Sequence, residues 1–168
     1  HRLASPPTFY RWGGTLQVIF GVAAAVLIVV GTYGGLVLAP ADYQQGDAFR
    51  IIYVHVPSAW LSLLVYTTMA VAGGVALIWR MKLAELFVVA AAPIGAAFTA
   101  LALVTGMLWG EPMWGTYWVG DARLTSELVL LFLYLGVVAL LRAFADPRPA
   151  APAAPLPPLT DAPTRPTL

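Results

Sequence analysis

Four long apolar runs dominate the chain, and its polar residues collect between them. Trp12 to Ala41, Ile51 to Trp79 and Leu86 to Leu108 contain no Asp, Glu, Lys or Arg. A helix rises about 1.5 Å per residue, so roughly 20 apolar residues cross about 30 Å of hydrocarbon. Each of these three runs is long enough to do so. Leu128 to Leu141 falls short and crosses only when extended to Leu124–Phe144. The pattern therefore predicts four transmembrane helices, near residues 14–39, 51–79, 86–108 and 124–144, within one domain over 1–146. Thr125 or Ser126 is placed to cap the fourth, with Glu127 in its first turn. Gly31, Gly34, Gly35, Gly73, Gly74 and the alanine-rich stretch from Ala90 to Ala102 would let helices approach closely. Pro93 is expected to kink the third helix, with neighbouring helices satisfying the freed carbonyl. Pro57 suits the first turn of the second.

The pattern ends at Asp146. Pro147 to Leu168 holds eight prolines, many alanines and few large apolar side chains, so residues 147–168 are expected to be a disordered tail. At the other end the chain begins at His1 rather than methionine, and the true N-terminus is expected further upstream. The first run is too long for a cleaved signal peptide and lacks a clear small-residue cleavage site, so it is expected to be retained. The fold class is an all-α membrane protein. It is expected to be a four-transmembrane-helix bundle with an amphipathic Trp-rich outer segment and a disordered Pro/Ala-rich tail.

Composition agrees with the pattern. Hydrophobic residues make up 60% of 168 positions and charged residues 10%, with a mean hydropathy of +0.81. Soluble domains are nearer half apolar and a quarter charged. A net charge of +1 gives no reason to expect nucleic acid. The placement of charge says more. Arg2 and Arg11 precede the first run, Arg80 and Lys82 separate the second and third, and Arg142 and Arg148 follow the fourth. The positive-inside rule then puts both termini in the cytoplasm and turns loops 40–50 and 109–126 outward together. Without cysteine the chain has no disulfide, no zinc–thiolate site and no CxxCH haem attachment. It has no GxxxxGK either, so any ATP-driven step would belong to another subunit.

The outward segment from Trp109 to Ser126, WGEPMWGTYWVGDARLTS, is the richest in candidate chemistry. Trp109, Trp114, Tyr117 and Trp118 give flat aromatic surface, and Asp121 and Arg123 lie beside them. Tryptophan belts are ordinary at membrane interfaces. Here, however, Trp114, Trp118 and Asp121 stand at i, i+4 and i+7, which on a helical turn would bring two indoles and a carboxylate onto one face. An amphipathic helix lying flat on the outer surface would present that face to its neighbours. Such a surface suits a large, flat, amphiphilic ligand, of which a porphyrin is the nearest biological example. His55, in RIIYVHVPSAW, lies at the outer end of the second run. It is either an interfacial histidine bonded to a loop carbonyl or a ligand for haem iron. Arg50 and Arg123 are the outward cations. They suit propionate carboxylates, or they form surface pairs with Asp47 and with Asp121 or Glu127. Met107 and Met113 are read as packing residues, and Asp42 and Glu111 as solvated loop charges.

The segment WGTYWVGDARLTSELVLLFLYLG resembles the tryptophan-rich "WWD" signature of haem-handling membrane proteins. With APADYQQGDAFRIIYVHVPSAW and APIGAAFTALALVTGMLWGEPMWG, the resemblance narrows to the CcmC family of system I cytochrome c maturation. It runs from about Phe9 to Asp146. It implies a multi-pass protein of the bacterial inner membrane whose outer, periplasmic loop holds haem b transiently and non-covalently. It implies His55 as an axial ligand to haem iron, with Trp109, Trp114, Tyr117, Trp118, Asp121, Arg123 and Arg50 around the haem. The partners it implies are haem, membrane lipid, the haem chaperone CcmE, the ABC transporter subunits CcmA and CcmB, and the small membrane protein CcmD.

Three departures from the family pattern qualify that picture. Tyr117 and Gly120 stand where the family typically has tryptophan, and Gly120 is expected to remove an aromatic face and loosen the backbone. Family members also continue into two further spans whose outer loop carries a second axial histidine. Here the Pro/Ala tail takes their place, as a frameshift in a GC-rich gene would produce, and His1 is on the wrong side to substitute. The expectation is a five-coordinate iron, or one borrowing a ligand, and weakened or absent activity. Haem binding and presentation without bond-making chemistry is the leading reading. A haem lyase acting with the chaperone is the alternative, and a quinone-binding redox subunit a third.

Overall fold

A computed structural model describes residues 6–144, so the Pro/Ala tail lies outside the described residues. Among the described residues four helices are long and apolar enough to cross a membrane. Helix α1 covers Pro6–Tyr33 and passes into a π-turn over Gly34–Leu38. A 3-10 turn over Asp47–Ile51 leads into α2, Ile52–Trp79. Helix α3 is Lys82–Trp114 and α4 is Ala122–Ala143. The chain is therefore a multi-pass membrane protein, and α1, α3 and α4 begin before their expected spans while α3 also ends beyond its own.

The helices share the packing unequally. Helix α3 packs closely against both α2 and α4, whereas α1 touches the others mainly near its π-turn. The reason lies in the side chains. The buried face of α3 carries Ala91, Ala92, Gly95, Thr99, Ala102, Gly106 and Gly110, spaced at three and four residues. Small residues on one stripe let backbones approach, and in lipid close packing rather than water exclusion holds helices together. At Gly95 the approach is closest, because the Tyr134 ring occupies the space a Cβ would need. Helix α1 has no such stripe facing a neighbour, and its apolar side chains are exposed for lipid contact.

Local chemistry sets the turns. Arg80, at φ 52, ends α2 in the left-handed conformation, and only Met81 separates it from α3, so the two helices run antiparallel. Helix α3 continues through both Pro93 and Pro112. Pro57 lies inside α2, past its first turn, because the 3-10 turn hands over to α2 already at Ile52. The expected cap of α4 is corrected. Asp121, not Thr125 or Ser126, is the N-cap, its Oδ1 accepting the Leu124 N–H at 3.1 Å.

Candidate functional site

The Trp-rich segment does not form the surface helix its spacing suggested. Trp109 and Trp114 belong to the last turns of α3, and residues 115–121 are bent or extended. Gly115 supplies the physical reason. At φ 71 it closes α3 in the left-handed conformation, its N–H donating to the Glu111 carbonyl at 2.8 Å. Gly120, at φ 68, also takes a conformation in which a side chain is strained, and it sets the chain into the extended entry of α4. It therefore shapes the turn instead of merely loosening it. Trp114, Trp118 and Asp121 do not share a helical face.

The chain folds back so that the Thr116 carbonyl lies near Gly110, and α2, α3 and the start of α4 line a cavity of about 330 Å³. Helix α2 contributes His55 and Leu63 to its walls, α3 contributes Gly106, Trp109 and Trp114, and the start of α4 contributes Asp121, Arg123 and Glu127. That volume is at the low end for ligand pockets, and the cavity is open on one side. A second cleft of about 200 Å³ lies beside it, with His55, Trp109 and Arg123 as common walls. Gln45 and Phe49 line the far side of this cleft, so the loops 40–50 and 109–126 meet at one end of the protein. Trp109 ties them together, its Nε1–H donating to Gln45 Oε1 at 3.0 Å.

His55 is oriented by α3. Its Nδ1 lies 3.0 Å from the Ala102 carbonyl oxygen and 3.1 Å from Thr105 Oγ1. A carbonyl only accepts, so Nδ1 carries a proton and donates there. No hydrogen bond among the described residues engages Nε2. The partner is a helix carbonyl, not the loop carbonyl of the bland expectation. A histidine whose other nitrogen donates to a carbonyl is the usual arrangement of a metal-binding imidazole. Gly106 makes room for the ring, since a Cβ there would lie 3.2 Å from His55 Cε1 and 3.1 Å from Leu124 Cδ2.

The aromatic walls are fixed relative to one another. Trp109 and Trp114 meet edge to face with centroids 5.0 Å apart. Arg123 stacks its guanidinium over Trp114 at 5.7 Å and donates from Nε to Asp121 Oδ2 at 3.0 Å. The Arg123 side chain is 77% exposed, so its remaining N–H groups face outward and are free to take an anion. Arg50 is placed differently. Its Nε donates to the Ala39 carbonyl at 3.1 Å and its guanidinium pairs with Asp47 at 3.2 Å, which latches the end of α1 to the start of α2. Arg50, Tyr117 and Trp118 lie outside the cavity lining. Tyr117 and Trp118 stand exposed on the non-helical segment between α3 and α4.

Glu127 is a cavity residue that sequence reasoning took for a helix-dipole or surface-pair acid. Its Oε1 accepts from Ser62 Oγ at 2.9 Å, and Ser62 is fully buried. The Tyr134 hydroxyl donates to the Ser62 carbonyl at 2.7 Å, extending a polar seam between α2 and α4. The available signal was an acid inside a membrane span, which is a functional pointer by default.

Fold and site together define a helical multi-pass membrane protein with an aromatic-walled, histidine-bearing cleft at one end of its helices. The chain matches the family model described as CcmC, Heme exporter protein C, over residues 1–160, beyond Asp146 where the resemblance in the sequence stops. It is 57% identical over 148 residues to "Heme exporter protein C" of Escherichia coli (strain K12), covering 88% of this chain and 60% of the relative. The protein of that name in Haemophilus influenzae is 58% identical over 146 residues, covering 87% of this chain and 59% of the relative. A "Putative cytochrome c biosynthesis ccmC-like mitochondrial protein" of Marchantia polymorpha is 52% identical over 120 residues, covering 71% and 53%. The chain belongs to the heme exporter protein C family. It spans about 60% of the length of the curated relatives it matches first.

Proposed function

We propose that this chain binds haem at the outer, periplasmic face of a bacterial inner membrane and presents it to the haem chaperone CcmE for cytochrome c maturation. In this reading both termini are cytoplasmic, and CcmA, CcmB and CcmD are the neighbouring subunits. One observation carries the proposal. His55, with Nδ1 bonded to α3 and no hydrogen bond at Nε2 among the described residues, lines a cavity that also gathers two orthogonal indoles and an exposed guanidinium. Imidazole supplies an iron ligand, indoles cover the porphyrin face and edge, and Arg123 pairs with a propionate. Arg50 is committed to its latch, so Arg123 is the propionate partner in this reading. The family name supports haem as the cargo.

The geometry also suits passing haem on. A cavity this small takes only part of a porphyrin and leaves an edge outside for a partner to capture. The lyase reading is less favoured, because Asp121 is already engaged as helix cap and as partner of Arg123. Titrating purified protein with ferric haem tests the proposal. The expected result is a saturable Soret band in the parent and at least a tenfold weaker affinity in His55→Ala. Equal affinity and an unchanged spectrum in that variant would overturn it.

A further inference from the structure

The loop between α1 and α2 closes on itself before it reaches the site. Asp42 Oδ1 accepts the backbone N–H groups of Gln44 and Gln45, both at 2.9 Å. Asp42 and Gly46 exchange backbone hydrogen bonds at 3.1 and 2.9 Å. Gly46, at φ 58, has the backbone freedom this closure needs. Asp42 therefore organises a tight turn, and is not merely the solvated loop charge expected from its sequence context. The turn sorts two adjacent glutamines. Gln44 is exposed, whereas Gln45 is half-buried and accepts the Trp109 Nε1–H at 3.0 Å. An indole has a single N–H and no acceptor, so Gln45 satisfies the whole of its hydrogen-bonding capacity.

Trp109 is the indole common to the main cavity and the second cleft, and His55 lines both as well. The plane of this indole therefore shapes the space on either side of the histidine. Trp114 meets the ring edge to face at 5.0 Å, and Gln45 holds its nitrogen. We infer that Gln45 is a positioning residue, which sets the Trp109 wall for a flat ligand beside His55, and that the Asp42 turn holds Gln45 in place. The inference rests on the haem reading above. Without the Gln45 acceptor the indole N–H loses its partner, and the ring loses one of its two restraints. Contact between flat surfaces falls away steeply with small separations, so a turned indole would grip a porphyrin less well.

The test is a ferric-haem titration of the parent, Gln45→Met and Gln45→Glu, each repeated in a Trp109→Phe background. Met keeps the reach of the side chain but offers only a weak acceptor, whereas Glu keeps an oxygen. Gln45→Met should weaken haem binding roughly fivefold, and Gln45→Glu should stay within about twofold of the parent. Once Trp109→Phe has removed the indole N–H, Gln45→Met should cost nothing further. Asp42→Ala should weaken binding in the same Trp109-dependent way, and Asp42→Asn, which keeps the acceptor, should not. An equal loss from Gln45→Met in both backgrounds would mean that Gln45 acts other than through Trp109, and overturns the inference. Parent affinity in Gln45→Met overturns it too, and leaves the haem reading standing. If Trp109→Phe abolishes binding, the ¹H–¹⁵N spectrum of the haem-free protein decides. The indole resonance that Trp109→Phe removes should move upfield in Gln45→Met, and an unmoved resonance overturns the inference. No His55-dependent Soret band in the parent overturns both.

Discussion

An imidazole that ligates iron through one nitrogen keeps the other as a donor, and at His55 Nδ1 is already spent on α3. That single bond to Ala102 gives the histidine a direction, and Gly106 gives it the space to take it. Replacing Gly106 with alanine would ordinarily favour a helix by up to about 1 kcal/mol. Here the added Cβ would press on the ring and on Leu124, so Gly106→Ala should retain helicity by circular dichroism yet lose roughly tenfold in haem affinity. Parent affinity in that variant would show that the ring has slack the structure does not suggest. His55, Trp109, Trp114 and Arg123 were legible in the sequence as an ionisable residue in a span and an aromatic cluster with charge. Glu127 was not, because helix-end chemistry explained it well enough. Its role depends on Ser62, 65 residues away, and no local pattern signals that pairing.

At the scale of elements, the four spans follow directly from the apolar runs, while the helix ends depend on particular residues. The Trp-rich segment has helical spacing, but Gly115 and Gly120 stop the helix on either side of Tyr117 and Trp118. Asp121 then starts α4 four residues earlier than the Thr125 N-cap would, since a carboxylate already aimed at Leu124 N–H wins over hydroxyls further on. Two outcomes separate its roles. Asp121→Asn should keep the cap and hold parent stability in detergent, whereas Asp121→Ala should lose about 1 kcal/mol by reversible denaturation. Equal stabilities would remove the cap from the account. Packing of α3 on α4 makes a second demand. Gly95→Ala would set a Cβ into the Tyr134 ring and should destabilise by about 1–3 kcal/mol. The loss should shrink when Tyr134 is also truncated to alanine, as a double-mutant cycle would reveal. Additive losses would mean that α3 and α4 separate to admit the methyl.

At the scale of the whole molecule, charge placement and packing tell a consistent story. The two loops expected to share a side meet through Trp109 and Gln45, and the short turn at Arg80–Met81 lies at the other end of α2. Absence of cysteine makes the orientation easy to measure. Tyr43 is 90% exposed in the loop before α2, and Lys82 starts α3. In intact cells a membrane-impermeant maleimide should label Tyr43→Cys at once and Lys82→Cys only after permeabilisation. The opposite pattern would invert the proposed topology. Helix α1 is the element whose placement the sequence conveyed least, because an apolar run shows that a helix meets lipid but not which neighbours it touches.

The account turns on Nε2 of His55 as the iron ligand, and chemical rescue tests this most directly. His55→Gly leaves the cavity, the indoles and Arg123 in place but removes the imidazole. Adding free imidazole to haem-loaded His55→Gly should restore the parent's Soret and visible bands in a saturable manner. A variant that already matches the parent spectrum without imidazole would contradict the account.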